Sequence, residues 1–169
     1  MSTLVAKFGG TSVGTPEAFQ QVVDILLEQV QTWDHLVVVV SAMSGVTNAL
    51  VQGALTSASG DDQTHRTICQ ELRAKHYHVI STLLHQDSER AQLVSMVDRY
   101  LDDVTNFCTS FHVLGEATPR AMDAVTSLGE RISARILAAL LRQQGIRSVA
   151  VDATELIVTD STFQNAAPL

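Results

Sequence analysis

The sequence predicts an α/β domain with a mainly parallel sheet flanked by helices. Three observations carry that expectation. Short apolar runs of strand length alternate with longer stretches whose apolar residues recur at helical spacing. The second short run, Leu36 to Val40, is continuous and β-branched, as in a strand of a parallel sheet covered on both faces. Glycine-rich or hydroxyl-rich segments follow the first two runs, at the ends of strands where open α/β sheets bind ligands.

Taken in order, Thr3 to Phe8 reads as a buried strand built on Leu4, Val5, Ala6 and Phe8, broken by Gly9-Gly10. Thr15-Pro16-Glu17 opens a helix: threonine caps, proline suits the first helical position, and glutamate suits the positive end of the dipole. Phe19, Val22, Val23, Leu26, Leu27 and Val30 then share one face. After the second strand, a polar turn from Ser41 to Asn48 leads into a helix ending near Ala58, with Ser44 or Thr47 as its expected cap. Ile68, Leu72, Val79, Ile80 and Leu83 mark one long helix. Val94, Val97, Leu101, Val104, Cys108 and Phe111 mark a second, capped at Ser88, and the two form a helical hairpin. Thr118-Pro119 starts a further helix. Ser127-Leu128-Gly129-Glu130 is read as a turn, and a last helix through Ile132, Ile136, Leu137, Leu140 and Leu141 ends at Gly145. Arg147 to Val151 is expected as a third strand and Glu155 to Thr159 as a weaker fourth, before a polar tail from Ser161 to Leu169.

Composition narrows the function. The 169 residues suffice for one domain with a real core, and 46% hydrophobic against 17% charged residues argues against disorder. A formal net charge of −7 disfavours non-specific binding to nucleic acid or anionic membranes, which needs clustered Lys and Arg. It does not oppose an anionic metabolite, which needs only one or two local cations. No run reaches the roughly 20 apolar residues of a membrane span. Met1 to Lys7 lacks the apolar stretch of a signal peptide. The two cysteines, Cys69 and Cys108, give no disulfide framework, so a reducing cytoplasm is expected. His65 and Cys69 stand four residues apart, and His76 and His78 two apart. No Cys-x-x-Cys or His-Glu-x-x-His spacing occurs, and no metal ligand is assigned. No Gly-x-Ser-x-Gly elbow supports a hydrolase.

Three segments are candidates for chemistry. In Lys7-Phe8-Gly9-Gly10-Thr11-Ser12 a strand ends, two glycines follow and a helix opens shortly after. Glycines let backbone amides approach a phosphate, and Lys7 supplies full charge. The alternative is a lysine beside an ordinary glycine turn; the segment is neither a Walker A loop nor Gly-x-Gly-x-x-Gly. Ser41 to Asn48 can hold a carboxylate through hydroxyls and amides, or can simply cap a helix. Glu130 can accept hydrogen bonds from an ammonium group, or can serve as a first-turn glutamate favoured by the helix dipole.

Together the three segments resemble a known family. Lys-Phe-Gly-Gly-Thr-Ser-Val at Lys7 to Val13 resembles the signature opening of the aspartate kinases. Val38 to Asn48 resembles their second motif, and Ser127 to Arg131 their third. The order of the motifs and the intervening hairpin agree, along nearly the whole chain. Acetylglutamate and uridylate kinases share the wider amino-acid kinase fold but not this combination. The resemblance implies transfer of the γ-phosphoryl group of MgATP to the β-carboxylate of L-aspartate, the opening step towards lysine, threonine, methionine and isoleucine. It implies that Lys7 neutralises the transferring group, that Gly9, Gly10, Thr11 and Ser12 hold phosphate, and that Ser41, Thr47 and Glu130 bind aspartate, with Glu130 meeting its ammonium group. It also implies a homo-oligomer with ATP and L-aspartate as its ligands. By the same resemblance, residues 1–169 form the amino-terminal substrate lobe. The nucleotide lobe, with its Gly-Gly-Ser-Asp segment, and the regulatory ACT domains are expected outside it, so the chain alone is expected to be inactive. Two other readings stay open: an amino-acid kinase with a different carboxylate acceptor, and a non-catalytic α/β binding module.

Overall fold

A computed structural model describes residues 1–169 as a helix-rich α/β unit with a parallel strand pair. Strand β1 (Thr3–Phe8) pairs in parallel with β2 (His35–Val40), in a register that sets Lys7 opposite Val39 and Phe8 opposite Val40. Helix α1 (Pro16–Gln29) makes the crossover, and the Thr15 hydroxyl caps it by accepting from the Ala18 amide at 3.2 Å. Helices α2 (Val46–Ala58), α3 (Thr64–Leu83), α4 (Asp87–Leu114) and α5 (Pro119–Gln143) follow, with α3 and α4 forming the expected hairpin. No helix is long and apolar enough to cross a membrane.

The core lies chiefly among the helices. Leu26 from α1, Leu50 and Ala54 from α2, Ile80 from α3, Leu101 from α4, and Ile132 and Ile136 from α5 belong to one buried apolar cluster. The apolar faces expected for α1, α3, α4 and α5 are the ones that face it.

Several expectations need correction. The β2 run is not covered on both faces: Val37 and Val39 are 49% and 50% exposed, and Val5 of β1 is 65% exposed. A continuous apolar run therefore marks a strand whose second face is open. Arg147 to Val151 forms no strand and pairs with none. It is tied to α5 instead. Arg142 donates to the Ser148 carbonyl at 3.1 Å, the Ser148 hydroxyl donates to the Ala138 carbonyl at 2.7 Å, and Arg131 pairs with Asp152 at 2.8 Å. The fourth strand is replaced by a single 3-10 turn, Ala153–Glu155, and an isolated antiparallel bridge between Thr159 and Pro168. Helix α4 begins at Asp87, so Ser88 lies inside its first turn rather than at the cap. The segment from Thr118 onwards is one helix, not two. Thr118 caps it, accepting from Ala121, and Gly145 follows its end at φ +82°.

Two buried histidines make the fold acid-sensitive. His65 accepts or donates through Nδ1 to the Ser57 hydroxyl at 3.1 Å, and His76 donates through Nδ1 to the Leu72 carbonyl at 2.7 Å. The Nε2 atom of each is buried without a partner. Burial pushes both imidazoles below the ordinary histidine value. The folded state therefore holds them neutral, while the unfolded chain takes up protons near pH 6.5. Stability is complete above that value and falls as pH drops below it, by up to about 1.4 kcal/mol per pH unit for each histidine. Urea unfolding at pH 7.5 and 5.5 should show a lower midpoint at acid pH, and His76→Leu should flatten the dependence. Equal midpoints for the parent chain at the two pH values would contradict this.

Candidate functional site

The site is built where the two strands end. The Ser41 amide donates to the Phe8 carbonyl at 3.0 Å, continuing the strand pairing by one residue. The Ser44 amide then donates to the Gly10 carbonyl at 3.1 Å. The segments after β1 and β2 are thus stitched together by backbone bonds.

Gly10 is required by space. A methyl group there would lie 2.9 Å from the Ala42 carbonyl oxygen and 3.5 Å from the Ser44 nitrogen. The chain from Gly10 to Val13 forms a tight 3-10 turn, in which the Ser12 amide donates to the Gly9 carbonyl at 3.0 Å. The Gly10 and Thr11 amides donate to no backbone carbonyl, as the first donors of a helical turn do not. Lys7, exposed near the end of β1, folds its side chain over this turn. Its Nζ is 3.6 Å from where a Gly9 side chain would begin. Lys7 makes no ion pair within the chain.

The second segment enters α2 through Gly45, at φ +81°, which is the helix cap and offers no side chain. Neither Ser44 nor Thr47 caps α2, contrary to expectation; Thr47 sits inside the first turn. With capping excluded, the Thr47 and Ser41 hydroxyls are both half-buried and without a partner in the chain.

The third segment is corrected in kind. Ser127 to Glu130 is not a turn: it lies in the interior of α5, and Glu130 is not a first-turn residue. Gly129 is buried and so close to the second segment that a methyl group on it would stand 2.7 Å from the Ala42 Cβ and 3.1 Å from the Val46 Cγ1. The missing side chain lets α5 touch the second segment, and Glu130, half-buried, is the next residue of the helix. All three segments thus meet around Ala42, with Gly10 on one side and Gly129 on the other.

Sequence reasoning missed one nearby group. Lys75 of α3 donates to the Ser44 carbonyl at 2.6 Å. Nothing local signals it, because it sits in the polar stretch between Leu72 and Val79 with no motif around it.

Chemically, the arrangement offers an exposed ammonium group, free amides at a glycine turn, two free hydroxyls and a carboxylate, carried on three segments that meet around Ala42. Such a set suits a small ligand with both anionic and cationic ends.

Comparison with known proteins bears on the family and the fold. The sequence matches the amino acid kinase family over residues 2–167. It is 31% identical over 167 residues to the bifunctional aspartokinase/homoserine dehydrogenase 1, chloroplastic, of Arabidopsis thaliana, covering 97% of this chain and 18% of that protein. It is 24% identical over 168 residues to the aspartokinase of Candida albicans, covering 95% of this chain and 30% of that one. The fold is similar to the crystal structure of E. coli aspartokinase III in complex with aspartate and ADP, with a TM-score of 0.81 and 24% identity, covering 99% of this chain and 35% of that one. The chain therefore spans less than a third of the length of these two sequence relatives. With a match over nearly its whole length, the chain belongs to the amino acid kinase family.

Proposed function

We propose that the chain is the substrate-side lobe of an aspartate kinase. In this reading ATP arrives as its magnesium complex and the β-carboxylate of L-aspartate attacks the γ-phosphorus. The bond to the leaving ADP oxygen breaks, giving aspartyl phosphate. No protein nucleophile is needed, because positioning and charge stabilisation carry most of such a transfer. Lys7 neutralises the transferring group, while Gly9, Gly10, Thr11 and Ser12 surround it, with the free Gly10 and Thr11 amides as donors. Ser41 and Thr47 bind the aspartate carboxylates, and Glu130 receives its ammonium group. The observation that carries this reading is the meeting of three separate segments at Ala42, each presenting polar groups without partners in the chain. The similarity to aspartokinases supports the choice of acceptor. The same reading makes residues 1–169 the amino-terminal lobe of the kinase domain and makes the protein a cytoplasmic homo-oligomer acting in the biosynthesis of lysine and related amino acids.

The test is Glu130→Gln in a catalytically competent polypeptide carrying this chain. A site built to pair an ammonium group rejects ligands when that pairing is lost. The KM for aspartate is expected to rise about tenfold or more, with the KM for ATP changing much less. Equal effects on both constants would assign Glu130 a structural role. Turnover with N-acetylglutamate and none with aspartate would move the activity to a different acceptor.

A further inference from the structure

We propose that Lys75 is a positioning residue for the acceptor segment, holding the Ser44–Gly45 turn so that Ser41 and Thr47 face the ligand. This rests on the acceptor role given to Ser41 and Thr47 above.

The Ser44–Gly45 turn is held by few contacts. Gly45 takes a left-handed conformation, at φ +81°, and provides no capping side chain, so the start of α2 has no side chain fastening it. Three backbone bonds secure it from the chain side: Ser44 N to Gly10 O at 3.1 Å, Val46 N to Met43 O at 3.0 Å and Ala49 N to Gly45 O at 3.0 Å. The side-chain hydrogen bond to the turn comes from α3, where the half-buried Lys75 donates to the Ser44 carbonyl at 2.6 Å. A charged donor makes this stronger than an ordinary backbone bond.

The charge is also misplaced for stability alone. A cation near the amino-terminal end of a helix opposes the helix dipole, and Lys75 stands beside the entrance of α2. It has no carboxylate partner in the chain. A positive group that holds the loop and opposes the dipole suits a place beside a bound anion. It fits a segment whose ligand is a carboxylate.

The experiment uses the 169-residue chain with Lys75→Met, which keeps the unbranched apolar stem but not the ammonium group, and Lys75→Arg, which keeps the charge. Hydrogen exchange at the Ser44 and Val46 amides should be about tenfold faster in Lys75→Met. Exchange at the buried α4 residues Leu101 and Val104 should be unchanged. The apparent Kd for L-aspartate, followed by amide chemical shifts, should rise several-fold in Lys75→Met, and Lys75→Arg should restore both readouts. Unchanged exchange at Ser44 and Val46 would overturn the proposal. So would equal acceleration at Leu101 and Val104, or faster loop exchange with unaltered aspartate binding. If the parent chain gives no response to aspartate, the acceptor reading falls, and the exchange comparison alone decides whether Lys75 holds the turn.

Discussion

Lys7→Ala, in a catalytically competent polypeptide carrying this chain, is expected to lower kcat by about 10²-fold or more. The KM for aspartate should change far less. Lys7 is the next-to-last residue of β1, opposite Val39, and its side chain bends over Gly9 rather than out along the strand. Its ammonium group has no carboxylate partner, so its charge is not neutralised within the chain. A phosphoryl group in transfer gathers charge on its peripheral oxygens, and a cation already in place needs no reorganisation to meet it. An interaction made mainly in the transition state appears in kcat and in kcat/KM, not in KM. Lys7→Arg should not restore the rate, because the guanidinium group is longer, planar and differently aimed over the glycine turn. Steady-state kinetics decides the matter: a Lys7→Ala enzyme with kcat near that of the parent removes Lys7 from the chemistry.

The parts of the fold set by local rules were legible in the sequence. β1 runs over the residues expected, Thr15 and Thr118 cap the helices they were expected to start, and the α3–α4 hairpin follows its apolar periodicity. Each of these depends on residues within one or two turns of one another. What failed depends on residues distant in sequence. A strand needs a partner, and Arg147 to Val151 has a strand-like composition but is bonded to the Arg142 side chain and the Ala138 carbonyl of α5 instead. The Ser127–Glu130 error has a single cause. A glycine among small residues suggests a turn, whereas Gly129 is there for space inside a helix, against Ala42. A glycine selected for its backbone angle and one selected for close approach look the same in a sequence. The candidate site was visible as three segments, but their meeting point at Ala42 was not. Lys75 was invisible, since only its contact across the fold gives it meaning.

That meeting point yields the second large effect. Gly129→Ala is expected to destabilise the chain by about 1–2 kcal/mol and Gly129→Val by about 3 kcal/mol or more. Alanine in place of glycine within a helix ordinarily gains about 1 kcal/mol. Here the added methyl would stand 2.7 Å from the Ala42 Cβ, well inside the usual 3.5–4.0 Å carbon contact. Both atoms are fixed to backbone and neither can turn away, so α5 must move off the second segment. Valine adds branches towards Val46, whose Cγ1 is already 3.1 Å from the new Cβ position. Gly53 of α2 provides the contrast: a methyl there would meet nothing nearer than the His65 Cβ at 3.5 Å, an ordinary contact. Gly53→Ala should therefore be neutral or stabilising by up to about 1 kcal/mol. Removing the opposing methyl should relieve the clash, so Ala42→Gly combined with Gly129→Ala should recover much of the loss of Gly129→Ala alone, measured against Ala42→Gly. Urea unfolding of the four variants and the double mutant measures these differences. A Gly129→Ala chain as stable as the parent would show that α5 and the second segment are not in close contact. The ligand role proposed for Glu130 alongside Thr47 would then lose its support.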